Sequence, residues 1–305
     1  MSGQAGAKGG KNSYYVPPTQ TYVIDEDTLY EDEAELRKYR ELVVSLLKNP
    51  HYQPPSLPDR ALELARLSGD DAAGIKRLGE IIRADPNLAA NVLRVGNSAQ
   101  VRGVGSPIDS IERAVVLIGL DGVRNIALAW SMRAIFLTDS GFRQKMQASF
   151  NHAVAVANGM SYLAQRIGLP KGLAYVAGLL HDIGEIVILH ALDALMRKHK
   201  SAQLPNDMTL LDDLHGEVGS YAIHKWGLPD SIAQVCARHH DDVQSRGTMI
   251  TAVRAVDSLA VELGLSAHPV PEIFKGGELL CIEGLSLDDV EAMSELMREA
   301  AAQFA

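Results

Sequence analysis

Residues 178–190 read GLLHDIGEIVILH, an apolar run broken by one polar pair, His181 and Asp182, with Gly184 two positions later. A carboxylate buried without a partner is costly, so it persists in a core only where something positive offsets it. More residues of the same kind sit on apolar stripes elsewhere. His152 is in register with Val156, Met160 and Leu163, and His181 itself follows Leu173, Val176, Ala177 and Leu180. His215 leads Val218, Ala222 and Trp226; His239 follows Ile232, Val235 and Cys236 with His240 beside it; Asp257 lies between Val253 and Ala260. Helical spacing turns each of them inward.

Taken singly, each is read as a hydrogen-bonded core residue. As a set, five helices that each bury a His or Asp are destabilised unless those groups share a partner, and the simplest shared partner is a metal centre. Imidazoles and carboxylates without thiolates suit a transition metal, whereas Mg²⁺ and Ca²⁺ prefer oxygen shells. Iron or manganese is expected first, with nickel, cobalt or zinc as alternatives. Seven ligands exceed one tetrahedral shell, but two divalent ions about 3.5 to 4 Å apart and bridged by a carboxylate use them all. Asp182 is the natural bridge.

The elements that must carry these residues are helical. An acidic stretch, DEDTLYEDEAELRKYRELVVSLLKN, carries Leu36, Val43, Leu46 and Leu47 at helical spacing. Its run DEDTLYEDEAE reads as a solvated helix face, or as an arm that docks on a partner. HYQPPSLPDR punctuates with proline before the next helix. ADPNLAANVLRVGNSA places Asp85 as N-cap and Pro86 in the first turn, with Val92 and Leu93 facing inward. SPIDSIERAVVLIG opens another helix through Ala114, Val115, Val116 and Ile118, and Gly119 to Gly122 interrupts it. Period-two alternation and hairpin signals are lacking, which predicts an all-α fold of about ten to fourteen helices.

Composition bounds the function. The chain has 305 residues, 47% hydrophobic, and a net charge of −9 that gives no general attraction for nucleic acid. Cys236 and Cys281 form no framework or close-spaced pair, which points to a reducing compartment, the cytoplasm. No apolar run is read as approaching the roughly 20 residues that span a bilayer, and residues 1–24 read as a flexible tail without a signal-peptide core. His190, His199, His224 and His268 lie off the ligand pattern, and Cys236 reads as a small core residue. Lys225, Arg238 and Arg246 are candidates for a phosphate contact.

The order of these residues, a lone His, then His-Asp, then three His, then a distant Asp, resembles the HD superfamily of metal-dependent phosphohydrolases. HGEVGSYAIHKWGLPDSIAQVCARHHD is similar to the HD-GYP branch. That resemblance implies one ion on His152, His181, Asp182 and Asp257, and a second on Asp182, His215, His239 and His240. PPSLPDRALELARL, LGEIIRADPNLAANVLRVGNSA and IDSIERAVVLIGLDGVRNIAL resemble the HDOD family of bacterial signalling proteins, from about Pro54 to His240. The resemblance implies a helical HDOD module, with an N-terminal lobe over 25–140 packed on an HD-like metal-binding lobe and C-terminal helices over 141–305. It departs from HD-GYP in having Glu185 where that branch has Lys, and in lacking Gly-Tyr-Pro after the His pair. Glu185 would repel phosphate, or serve as a ligand or general base beside Asp182. The expected function is signalling or regulation around a retained dinuclear site, through a partner protein or a small phosphorylated ligand. The alternative is an active phosphohydrolase or phosphodiesterase.

Overall fold

The computed structural model describes residues 37, 40–45, 48–49, 51–67, 72–98, 107–136, 141–199, 214–241, 248–266, 282 and 285–304. Among them there is no strand, as the all-α expectation requires, and eleven helices follow one another. These are α1 Asp59–Arg66, α2 Ala72–Arg83, α3 Pro86–Gly96, α4 Ile111–Phe136, α5 Arg143–Ile167, α6 Lys171–Leu180, α7 Ile183–His199, α8 His215–Lys225, α9 Asp230–Arg238, α10 Thr248–Glu262 and α11 Leu287–Ala302. A short helical stretch over 40–45 precedes them and buries Val43. Leu36, Leu46 and Leu47, the tail over 1–24, the acidic run, Arg246, His268 and Cys281 lie outside the described residues, as does the side chain of His199.

Local signals set the boundaries. The Asp85 carboxylate accepts from the backbone N–H of Asn87 and Leu88, and Pro86 begins α3 where its missing N–H costs nothing. Ser110 Oγ accepts from the Arg113 N–H at the start of α4. That helix kinks at Gly119, whose φ of 81° belongs to the left-handed region. In α11 a full capping box joins Ser286 and Asp289.

Two apolar clusters hold the helices together. The larger joins Leu64, Leu78, Ile82 and Leu88 of α1–α3 to Phe150, Tyr175 and Ile186 of α5–α7 and to Trp226 just after α8. The smaller lies between α5, α6, α10 and α11 around Met160, Leu163, Val253, Val256 and Met297. By length and composition, Ile111–Phe136 and Lys171–Arg197 do reach membrane-spanning size, which corrects the expectation drawn from the sequence. The second run is mostly buried, because it forms the centre of the core.

Candidate metal centre

The junction of α6 and α7 sits at the middle of the site. His181 and Asp182 occupy the two-residue turn between these helices, and His181 keeps right-handed helical angles. Helical periodicity therefore runs on through the turn, which is why the pair reads as lying within a helix. Gly184 makes the next contact: a Cβ there would overlap the His215 carbonyl oxygen and lie 2.7 Å from Gly219 N. Only a glycine lets the start of α7 come this close to α8. Gly178 does the same against the Ala157 backbone of α5, and Gly216 against the Cys236 carbonyl of α9.

The remaining members arrive from four further elements. His152 projects from the middle of α5, His215 opens α8, His239 and His240 form the turn after α9, and Asp257 lies on α10. His181 is fully buried, His239 and His152 nearly so, and His240 is the exposed member. Ligand atoms fall into two groups, each within 4.8 Å: His152, His181 and Asp257, and Asp182, His215, His239 and His240.

Asp182 faces both groups. Its Oδ2 lies 3.1 Å from His181 Nε2 and 3.5 Å from His152 Nε2. Its Oδ1 lies 3.0 Å from His239 Nε2 and 3.5 Å from His215 Nε2. Asp257 Oδ1 closes the first group at 3.1 Å from His152 Nε2. Imidazole nitrogens also face one another, His152 to His181 at 3.3 Å and His215 to His240 at 3.1 Å.

The outer ring nitrogens fix the tautomers. His181 Nδ1 donates to the Gly178 carbonyl at 2.8 Å, His239 Nδ1 to those of Cys236 and Val235 at 3.0 and 3.1 Å, and His152 Nδ1 to that of Leu265 at 3.2 Å. With the proton on Nδ1, the Nε2 lone pair points inward at carboxylate oxygens and at other Nε2 atoms. Lone pairs at such distances repel unless positive charge lies between them. Protons can supply it: burial opposes a charge on His152, yet Asp182 and Asp257 outweigh that and push it up to about 9. His181 is raised in the same way despite its burial. Burial likewise opposes ionisation of Asp182, but His181 and the surrounding imidazoles hold it well below the usual carboxylate range. Asp257 is depressed too, by His152 and His181 against its burial. His240, by contrast, is pushed down to about 3 by the water its ring loses against the cluster, although the residue keeps an exposed edge, and by His239. A divalent cation held in the cluster would supply that charge as well, and the all-N/O donor set fits a transition metal.

Glu185 is not part of either group. Its carboxylate accepts from Ser149 Oγ at 3.0 Å, tying the first turn of α7 to α5 one turn before His152. Cys236 is buried and its thiol donates to the Leu180 carbonyl at 3.1 Å, so it packs beside the centre as a core residue. Of the phosphate-contact candidates, Arg238 pairs with Asp241 at 2.9 Å and Lys225 lies over the Tyr221 ring. His190 bonds the Ile135 carbonyl and His224 meets Asp230, both away from the cluster. Two participants escape a reading of residue types: Ser149, three residues before His152, and Arg254, three before Asp257. Helical spacing from a ligand was the available signal.

Fold and cluster together define an all-helical protein that gathers histidines and aspartates from separate helices at one point. The HDOD domain model matches residues 55–242, and the chain belongs to that family. Its fold is similar to that of an HDOD domain protein from Geobacter sulfurreducens, with a TM-score of 0.65, 23% identity, and 89% of this chain and 97% of that one covered. It is also similar to a Shewanella amazonensis protein named as a candidate metal-dependent phosphohydrolase, with a TM-score of 0.67, 22% identity, and 88% and 100% covered. Among curated sequences, ribonuclease Y of Oleidesulfovibrio alaskensis is 25% identical over 68% of this chain and 33% of its own length. The chain spans between about a sixth and little more than a third of the length of such curated relatives.

Proposed function

We propose that this HDOD chain is a signalling or regulatory module organised around a dinuclear metal centre. The carrying observation is the placement of Asp182, whose two oxygens reach different histidine groups. In this reading His152, His181, Asp182 and Asp257 hold one ion, and Asp182, His215, His239 and His240 hold the other. Iron or manganese is the preferred metal, with nickel, cobalt or zinc as alternatives. Such a pair, when bound, supplies positive charge and Lewis acidity for a phosphoryl group. The protein's own part is to fix the ligands through carbonyl-anchored imidazoles and to tie five elements to one point. Binding, loss or oxidation of the ions then changes how α5, α7, α8, α9 and α10 are held, which a partner protein or a small phosphorylated ligand can read. A cytoplasmic location is part of the same proposal.

A second reading, turnover of a phosphodiester or phosphorylated metabolite, is favoured by the intact set of seven and by the similarity to ribonuclease Y. Glu185 weighs against it, because a carboxylate one turn from Asp182 opposes an incoming phosphate. Elemental analysis of protein purified without added metal tests the main reading. About two ions per chain are expected in the native protein, none in Asp182→Ala, and close to one in His240→Ala. A native chain free of transition metal, and unable to take it up, would overturn the reading.

A further inference from the structure

Arg254 stands on α10 one turn before Asp257, and its Nη1 donates to the carbonyls of both His240 (3.1 Å) and Asp241 (3.0 Å). Those carbonyls belong to the turn after α9, which presents His239 and His240 to the centre. The two imidazoles differ in what secures them. His239 is buried and its Nδ1 is anchored on α9, whereas His240 is the exposed member and reaches the cluster through a 3.1 Å approach to His215. The backbone of that turn therefore decides where the His240 imidazole points.

We propose that Arg254 is a positioning residue for His240, so that α10 governs both halves of the centre. It gives Asp257 to one half directly and orients His240 in the other through the backbone. This rests on the dinuclear reading above. One nitrogen, Nη1, makes both hydrogen bonds. A lysine keeps a donor on an arm one bond shorter, so it can reproduce the contact only in part.

The test is a Mn²⁺ titration of the full chain, followed by electron paramagnetic resonance and by elemental analysis, together with melting of the metal-stripped protein. Native protein should take up two ions per chain and give the broadened signal of a coupled pair. Arg254→Ala should weaken the second equivalent by about 10- to 100-fold, the scale of losses behind a metal ligand. The first equivalent and the metal-free melting temperature should be unchanged, and the signal should become that of an isolated ion. Arg254→Lys should recover part of the second equivalent's affinity. An unchanged second equivalent in Arg254→Ala would overturn the proposal, as would equal weakening of both equivalents with a lowered metal-free melting temperature. Fewer than two ions in the native protein would instead overturn the dinuclear reading on which it rests.

Discussion

The carbonyls of Gly178, Cys236 and Leu265 decide what His181, His239 and His152 can do, because each takes an Nδ1 proton and leaves Nε2 as a lone-pair donor. The types and spacing of the seven clustered residues were legible in the sequence. Their anchors were not, since every residue carries a carbonyl and only the fold selects which one is used. The same holds for Glu185, whose type suggested a ligand or a base but whose carboxylate is bonded to Ser149. That contact leads to a prediction. A serine hydroxyl can accept as well as donate, so Glu185→Lys keeps a local partner while reversing the charge one turn from Asp182. Hydrolysis of a chromogenic phosphodiester by the metal-loaded protein should then rise roughly tenfold, the effect of about 1.4 kcal/mol on a barrier, with metal content unchanged and Asp182→Ala inactive. A fall in rate or metal content would mark Glu185 as a base or a ligand.

At the scale of elements, apolar periodicity and capping residues indicated most helices, and Asp85 with Pro86 marked the start of α3. What they could not indicate was how closely neighbouring helices approach, because that depends on atoms that are missing. Gly184, Gly178 and Gly216 lie where a Cβ would run into the backbone or carbonyl of an adjacent helix. Backbone cannot move aside as a flexible side chain can. Gly184→Ala should therefore force α7 away from His215, cost about 3 kcal/mol in urea unfolding, and lower metal content as His215 leaves Asp182. Gly168→Ala is the control: Gly168 has a φ of 72° at the end of α5 with open space around it, so only backbone strain of about 1 kcal/mol is expected. Metal content should be normal in that variant. Equal stability losses in the two proteins would show that α7 and α8 can separate at little cost.

Across the whole molecule, stripes in a sequence say which face of a helix is buried but not which other stripe covers it. Here the cover comes from far away in the chain. Leu64, Leu78 and Leu88 share one cluster with Tyr175, Ile186 and Trp226. Polar contacts cross the same boundary. Trp226 Nε1 donates to the Pro55 carbonyl, Arg66 to the carbonyls of Trp226 and Gly227, and Arg94 to that of Gln303. All seven clustered residues lie after residue 150, so a fragment starting at Gly141 keeps every one of them while losing α1–α4. If the centre alone organised the second half, that fragment would fold around its metals. The shared core argues otherwise: removing α1–α4 exposes large apolar side chains on α5, α7 and α8 at about 25 cal/mol per Å² of surface returned to water. That loss is expected to exceed the few kcal/mol by which a domain is stable. The fragment should aggregate or elute as an expanded species, bind metal weakly, and show red-shifted emission from Trp226, its one tryptophan. Size-exclusion chromatography with fluorescence and elemental analysis decides the matter. A compact, metal-loaded fragment would establish the metal-bearing helices as an independent unit, and α1–α4 as a lobe that docks on a finished centre.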